Sequence, residues 1–402
     1  MRVPLIILAI FLFKLSSASE IIPFIEIKTA EDWRKAVALA KQENKLLFVD
    51  AYADWCTYCH QLDKEVYTDQ EVISYFTQHF INIKFDTESG YGILLAEEFG
   101  VLSLPTLLFL SPDESIFQTI EGFVPAPTLL AYGTQSLDDF TKLPALEEKY
   151  DNLLTSKEEN IELIRILETK NYEKAVAIAK NHLDLLNVDD YTQNIENLWL
   201  ASRFENQVNS VPYFYIKSHK SEIIDAHGEE EYKDYFKTVY NDNLELAIKY
   251  GEEKLLNQLV KDVIPEFLPE FEIAEAAFIT KKLYFGQREE VEKYKFEVQA
   301  YLNNQVSEEG RINFLFNNAL EIIENSENQE LREFSAELLT DAILIDTKHF
   351  EATALLGYVK GLLGEFSLAI ETLNKSKTLA QTAEQKEMAE NLLAAVEEMR
   401  KN

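Results

Sequence analysis

Behind Thr29-Ala30-Glu31-Asp32, a helix start with an acidic first turn, Trp33, Ala36, Val37 and Ala40 recur at helical spacing. Leu46-Leu47-Phe48-Val49 is a compact apolar strand carried through Asp50 to Tyr52, and a helix begins around Cys56. Thr68 followed by Glu71 predicts a second capping box, opening a helix that carries Val72, Ile73 and Phe76. Ile81, Ile83 and Phe85 alternate with Asn82, Lys84 and Asp86, the pattern of a half-buried strand. A short helix over 93–99 is stopped by Gly100. Thr106 to Leu110 forms another strand, turned at Ser111-Pro112-Asp113-Glu114 into a partner ending near Glu121. Gly122 punctuates, and Pro127 onward reads as a closing helix. The order α-β-α-β-α-β-β-α predicts a mixed sheet wrapped by helices.

After Ala145 the texture changes. The remaining 257 residues hold three prolines (Pro212, Pro265, Pro269) and seven glycines, among long stretches of Glu, Lys, Leu and Ala. That composition favours helices throughout. Leu356-Gly357, Gly364, Phe366, Ala369 and Leu373 occupy spacings that resemble a tetratricopeptide unit, and Tyr172, Ala175 and Ala179 echo its second half. The small residues suit paired helices that approach closely, so helical repeats are expected, tetratricopeptide-like at least near 350–380.

The 402 residues suggest two or three domains at about 150 residues each. A hydrophobic share of 47% with 12 Gly and 10 Pro excludes collagen-like and largely disordered chains. With 38 Lys+Arg against 70 Asp+Glu, the charge of −32 argues against nucleic acid and against an anionic membrane surface. At the start, Arg2, the apolar run from Val3 to Phe13 and Ser16-Ser17-Ala18 predict an export signal over 1–18. Eleven apolar residues are too few for a membrane span of about 20. The expectation is an exported, periplasmic chain that is not an integral membrane protein.

Cys56 and Cys59 are the whole cysteine supply, so a four-cysteine zinc site is impossible. The histidines are scattered and no metal site is expected. Cys-x-x-Cys at a strand-to-helix junction has a direct consequence: unpaired N–H groups and the positive dipole end favour a thiolate. The i, i+3 spacing puts Cys59 one turn along, where it can resolve a mixed disulfide formed on Cys56. Cys56-x-x-Cys59-His60 also spells a c-type haem attachment motif, but the preceding Phe-Val-Asp strand already accounts for these residues.

Val49-Asp50-Ala51-Tyr52-Ala53-Asp54-Trp55-Cys56-Thr57-Tyr58-Cys59 resembles the active-site strand and turn of the thioredoxin family, especially the periplasmic domains of disulfide interchange proteins. Leu104-Pro105-Thr106 is similar to the family's cis-proline loop, and Gly122 falls where the family keeps a glycine beside the same groove. The resemblance covers about residues 25 to 140. It implies an α/β thioredoxin fold over 19–142, followed by an all-α, helical-repeat-like domain over 143–402. It also implies that Cys56 attacks, Cys59 resolves, Asp50 accepts the Cys59 proton and Pro105 exposes backbone to substrate, while Trp55, Leu104 and Gly122 line the substrate groove. Thr57-Tyr58 replaces the family's common Gly-Pro and leaves redox direction open; the aliphatic Leu104 resembles reducing members. Lys84 is one candidate for the lysine beside the acid, but its strand parity differs from the family's and the role is not carried across.

The expected function is therefore an exported thiol–disulfide oxidoreductase that needs no cofactor beyond the redox-active Cys56–Cys59 disulfide. Its partners would be protein disulfide substrates, a membrane electron donor and a client held on the helical domain. The alternative is a protein-binding scaffold or chaperone-like module whose first domain is mainly structural.

Overall fold

A computed structural model describes residues 21–401, so the expected leader over 1–18 lies outside the described residues. The chain divides into two compact units, Met1–Leu185 and Leu186–Asn402. In the first, β1 (Ile25–Glu26), α1 (Ala30–Glu43), β2 (Leu46–Tyr52), α2 (Thr57–Gln61) and α3 (Gln70–His79) precede β3 (Phe80–Asp86), α4 (Gly92–Glu98), β4 (Thr106–Leu110) and β5 (Ile116–Glu121). Then come α5 (Ala126–Asp151), α6 (Lys157–Lys170) and α7 (Tyr172–Leu183).

Local chemistry sets the helix starts. Thr29 Oγ1 accepts the Asp32 N–H while the Asp32 carboxylate accepts the Thr29 N–H at 2.9 Å, closing the expected capping box of α1. At α3 the cap is Asp69 rather than Thr68. Asp69 accepts the N–H groups of Glu71 and Val72, whereas the Thr68 hydroxyl is drawn back to donate to the Lys64 carbonyl at 2.8 Å. A charged oxygen is also the better acceptor at the positive end of a helix.

The sheet runs β1-β3-β2-β4-β5, with β3 parallel to β1 and β2, β4 antiparallel to β2, and β5 antiparallel to β4. One face buries Leu47, Val49, Ala51, Ile81, Ile83 and Phe85 against Trp33, Ala36, Val37 and Ala40 of α1. On the other, the rings of Phe48, Phe76, Phe80 and Phe109 interlock, with Phe48 and Phe76 centred 4.6 Å apart. Gly133 lets α5 approach this second face, since a Cβ there would lie 3.1 Å from Phe76 Cζ.

These layers correct the half-buried reading of β3. The strand lies inside the sheet and six of its seven residues are buried, Asn82 and Lys84 among them. Each polar side chain finds a partner: Asn82 Nδ2 donates to the Phe76 carbonyl at 3.1 Å, and Lys84 pairs with carboxylates. Alternation marks two faces, but only the neighbouring helices decide whether the polar one meets water. The 142/143 position lies within α5, which continues past Pro144 to Asp151.

In the second unit every described regular element is a helix. Phe350–Leu362 and Phe366–Leu379 form a hairpin turned at Gly364, which takes φ +79°. A Cβ on Gly357 would stand 2.6 Å from Leu373 Cγ, so the bare backbone is what admits Leu373 between the helices. Among the described residues no helix is long and apolar enough to cross a membrane.

Candidate active site

Strand direction gathers the singled-out residues at one end of the sheet. Tyr52 pairs with Asp86, Ala51 with Thr106, and Thr106 with Glu121. The Cys56 turn, the 87–91 segment, Pro105 and Gly122 therefore all emerge beyond this common row. Cross-links hold the segments together: the Thr87 N–H donates to the Tyr52 carbonyl at 2.8 Å, and the Gly122 N–H donates to the Pro105 carbonyl at 2.7 Å. Gly122 takes φ +81°, a conformation that suits glycine, and the Leu104–Pro105 peptide is cis.

Cys56 is the N-cap of α2, with extended backbone at φ −75°, ψ 105°. The Cys59 N–H donates to Cys56 Sγ at 3.1 Å. One of the otherwise unpaired donors of the first turn thus points at the leading sulfur, where negative charge on Cys56 would be stabilised. The two sulfurs are joined, with Cα atoms 5.3 Å apart. Cys56 is 3% exposed and Cys59 1%, so exposure barely separates them and the cap hydrogen bond is the sharper distinction.

Around the pair, Trp55 is 67% exposed and its indole N–H donates to Glu88 Oε1 at 2.8 Å. Tyr58 is exposed, and Leu104 is half-buried. His60 Nε2 donates to the Asp54 carbonyl at 2.8 Å, bracing the turn. Ser103 Oγ donates to Glu121 Oε2 at 2.9 Å, and Thr106 Oγ1 donates to the Ser103 carbonyl at 2.7 Å, pinning the proline loop from both sides.

Asp50 is fully buried in β2. Burial pushes its carboxyl above the ordinary value, against the pull of the Lys84 ammonium. Lys84 Nζ lies 3.1 Å from Asp50 Oδ2 and donates to Asp63 Oδ1 at 2.6 Å. The first contact is an ion pair without hydrogen-bond alignment; neither Asp50 oxygen has a well-aligned donor. Burial alone would lower Lys84, but Asp50 and Asp63 together hold it above its ordinary value. The buried Tyr67 phenol is raised by burial and then by the Asp50 charge.

Lys84 and Asp63 are the residues that sequence reasoning missed. Parity set Lys84 aside, yet β2 and β3 run parallel with Asp50 directly opposite Lys84, and directly opposed residues share a face. The available signal was one acid and one lysine, each within an otherwise apolar strand. Asp63 begins its role only where α2 passes into the wider turn Leu62–Val66, which no local pattern announces.

Residues 33–136 match the family model for a thioredoxin-like domain. The thiol:disulfide interchange protein DsbD of Pseudoalteromonas atlantica is 29% identical over 117 residues, 28% of this chain and 20% of that protein. DsbD of Vibrio vulnificus is 34% identical over 90 residues, covering 22% and 15% respectively. A solved putative disulphide-isomerase from Bacteroides thetaiotaomicron is 36% identical, covering 30% of this chain and 95% of its own, with a TM-score of 0.27. The chain spans only 15–20% of the length of these curated relatives.

Proposed function

From the premise that residues 33–136 form a thioredoxin-like domain, we propose that the chain is a thiol–disulfide oxidoreductase that reduces protein disulfides through Cys56 and Cys59. Thiol:disulfide interchange is the activity in the name of its DsbD relatives. The observation that carries the reading is the Cys59 N–H aimed at Cys56 Sγ at the helix cap. In the reduced chain, the Cys56 thiolate attacks one substrate sulfur, forming a mixed disulfide and expelling the other sulfur as a thiolate. Cys59 then loses its proton to Asp50, whose raised affinity suits it to accept one. The Cys59 thiolate attacks Cys56 Sγ, the Cys56–Cys59 bond closes, and the second substrate sulfur leaves. Two electrons pass from the cysteine pair to the substrate.

In this reading Pro105 presents backbone to a substrate strand, and Trp55, Leu104 and Gly122 line its path. The aliphatic Leu104 favours the reducing direction. We also propose export by the leader at 1–18 to the periplasm, where disulfides persist and a reductase requires a membrane electron donor. The helical unit would hold the client, as stacked hairpins offer protein-binding surfaces.

Turnover of insulin disulfides by the purified chain with dithiothreitol tests the proposal. Activity that disappears in Cys56→Ser, and a trapped mixed disulfide in Cys59→Ser, is the expected result. Undiminished turnover in Cys56→Ser would refute it.

A further inference from the structure

The loops at the cysteine end of the sheet carry an uneven charge. The segments that emerge there, 86–91 after β3 and 121–125 after β5, carry Asp86, Glu88 and Glu121 and no Lys or Arg, within a stretch from Phe85 to Thr141 that holds no Lys or Arg at all. The Cys56 turn over 53–61 adds Asp54 and no Lys or Arg. Two of these carboxylates are fixed at the cleft itself. Glu88 accepts from the indole of Trp55, the residue beside Cys56, and Glu121 accepts from Ser103, two residues before Pro105. Both are exposed, and they stand on opposite sides of the cysteine turn, beyond β3 and at the end of β5. The buried Lys84 is spent on Asp50 and Asp63. Lys28 follows the edge strand β1, which β3 separates from β2.

A mixed disulfide on Cys56 requires a polypeptide to lie across this end of the sheet, between Trp55 and the Pro105 loop. We infer that Glu88 and Glu121 are specificity-determining residues that select protein disulfides flanked by lysine or arginine. The inference rests on the oxidoreductase reading of the same site and adds the substrate class. The selection is electrostatic. Hydrogen bonds hold each carboxylate in place, so little side-chain entropy is lost when an ammonium or guanidinium arrives, and an anionic flank is repelled.

The test uses two disulfide-linked peptides identical except for Lys or Glu beside each cysteine, turned over by the unmodified chain with dithiothreitol at low and high salt. The Lys peptide should show a kcat/KM roughly three- to tenfold higher than the Glu peptide at low salt, the scale of two exposed charge pairs. That ratio should fall to about one near 1 M salt, where the Debye length is about 3 Å. It should also fall to about one in Glu88→Gln/Glu121→Gln. A ratio of one or below in the unmodified chain overturns the inference while leaving the redox reading intact, as does a ratio that the double substitution leaves unchanged. No turnover of either peptide overturns the redox reading and this inference with it.

Discussion

Replacing Lys84 with methionine probes the buried charge cluster most directly. The substitution keeps an unbranched apolar stem among Phe24, Tyr52 and Tyr67, whose rings lie 4.7–5.6 Å from the ammonium, and removes only the charge. Asp63 is about one-third exposed, so water can rehydrate it and its loss contributes little. Asp50 is 0% exposed, and without Lys84 the buried Tyr67 phenol is the polar group left beside its carboxylate. Removing one partner of a buried pair costs about 3–5 kcal/mol, and the lost ammonium–ring contacts add about 1 kcal/mol. Protonation of Asp50 limits the loss, so about 3 kcal/mol at neutral pH is the reasoned figure.

Local hydrogen exchange in β2 and β3 reads this without assuming that the two units unfold together. At one common pH near neutrality, amides of both strands should exchange about 10²-fold faster in Lys84→Met than in the unmodified chain, at about 1.36 kcal/mol per decade. The pH dependence has a definite sign. Without Lys84, the Asp50 carboxyl rises further above its ordinary value, so the deficit is largest at alkaline pH and shrinks as acid protonates Asp50. A loss below about 1 kcal/mol that is flat with pH would refute the claim that Lys84 compensates a buried charge.

Asp50→Asn should act in the opposite direction on stability. Because burial raises the Asp50 carboxyl, its favourable contribution is present in acid and is lost as pH rises through the folded value; urea midpoints of Asp50→Asn should exceed wild type at pH 8 and converge at low pH. The same variant should slow release of a trapped mixed disulfide, measured by single-turnover kinetics, and shift its rise with pH to more alkaline values. Gly122→Ala meets no atom within 4 Å, so its cost is the backbone conformation alone, about 1–2 kcal/mol in the first unit's unfolding. Gly357→Ala drives a methyl against Leu373; overpacking outweighs about 1 kcal/mol of helix propensity, and a net loss of about 1–2 kcal/mol is expected in thermal melts of the second unit. Adding Leu373→Ala should then cost less than the two changes summed.

Much of the first unit can be read along the chain because its causes are local. The capping box at Thr29, the apolar run from Leu46, the break at Gly100 and the Cys-x-x-Cys junction depend on residues within a turn or two of one another. The small residues at Gly357 and Ala369 announce close helices for the same reason, since a missing side chain is visible without knowing what fills it. What lies across the sheet is different. The burial of Asn82 and Lys84, the opposition of Asp50 and Lys84, and the Gly122–Pro105 hydrogen bond join segments between 17 and 34 residues apart or depend on helices packed above them. Strand alternation determines that Lys84 and Ile83 face opposite ways; strand order and helix packing decide that both directions lead into the protein interior, where an ammonium must find carboxylates.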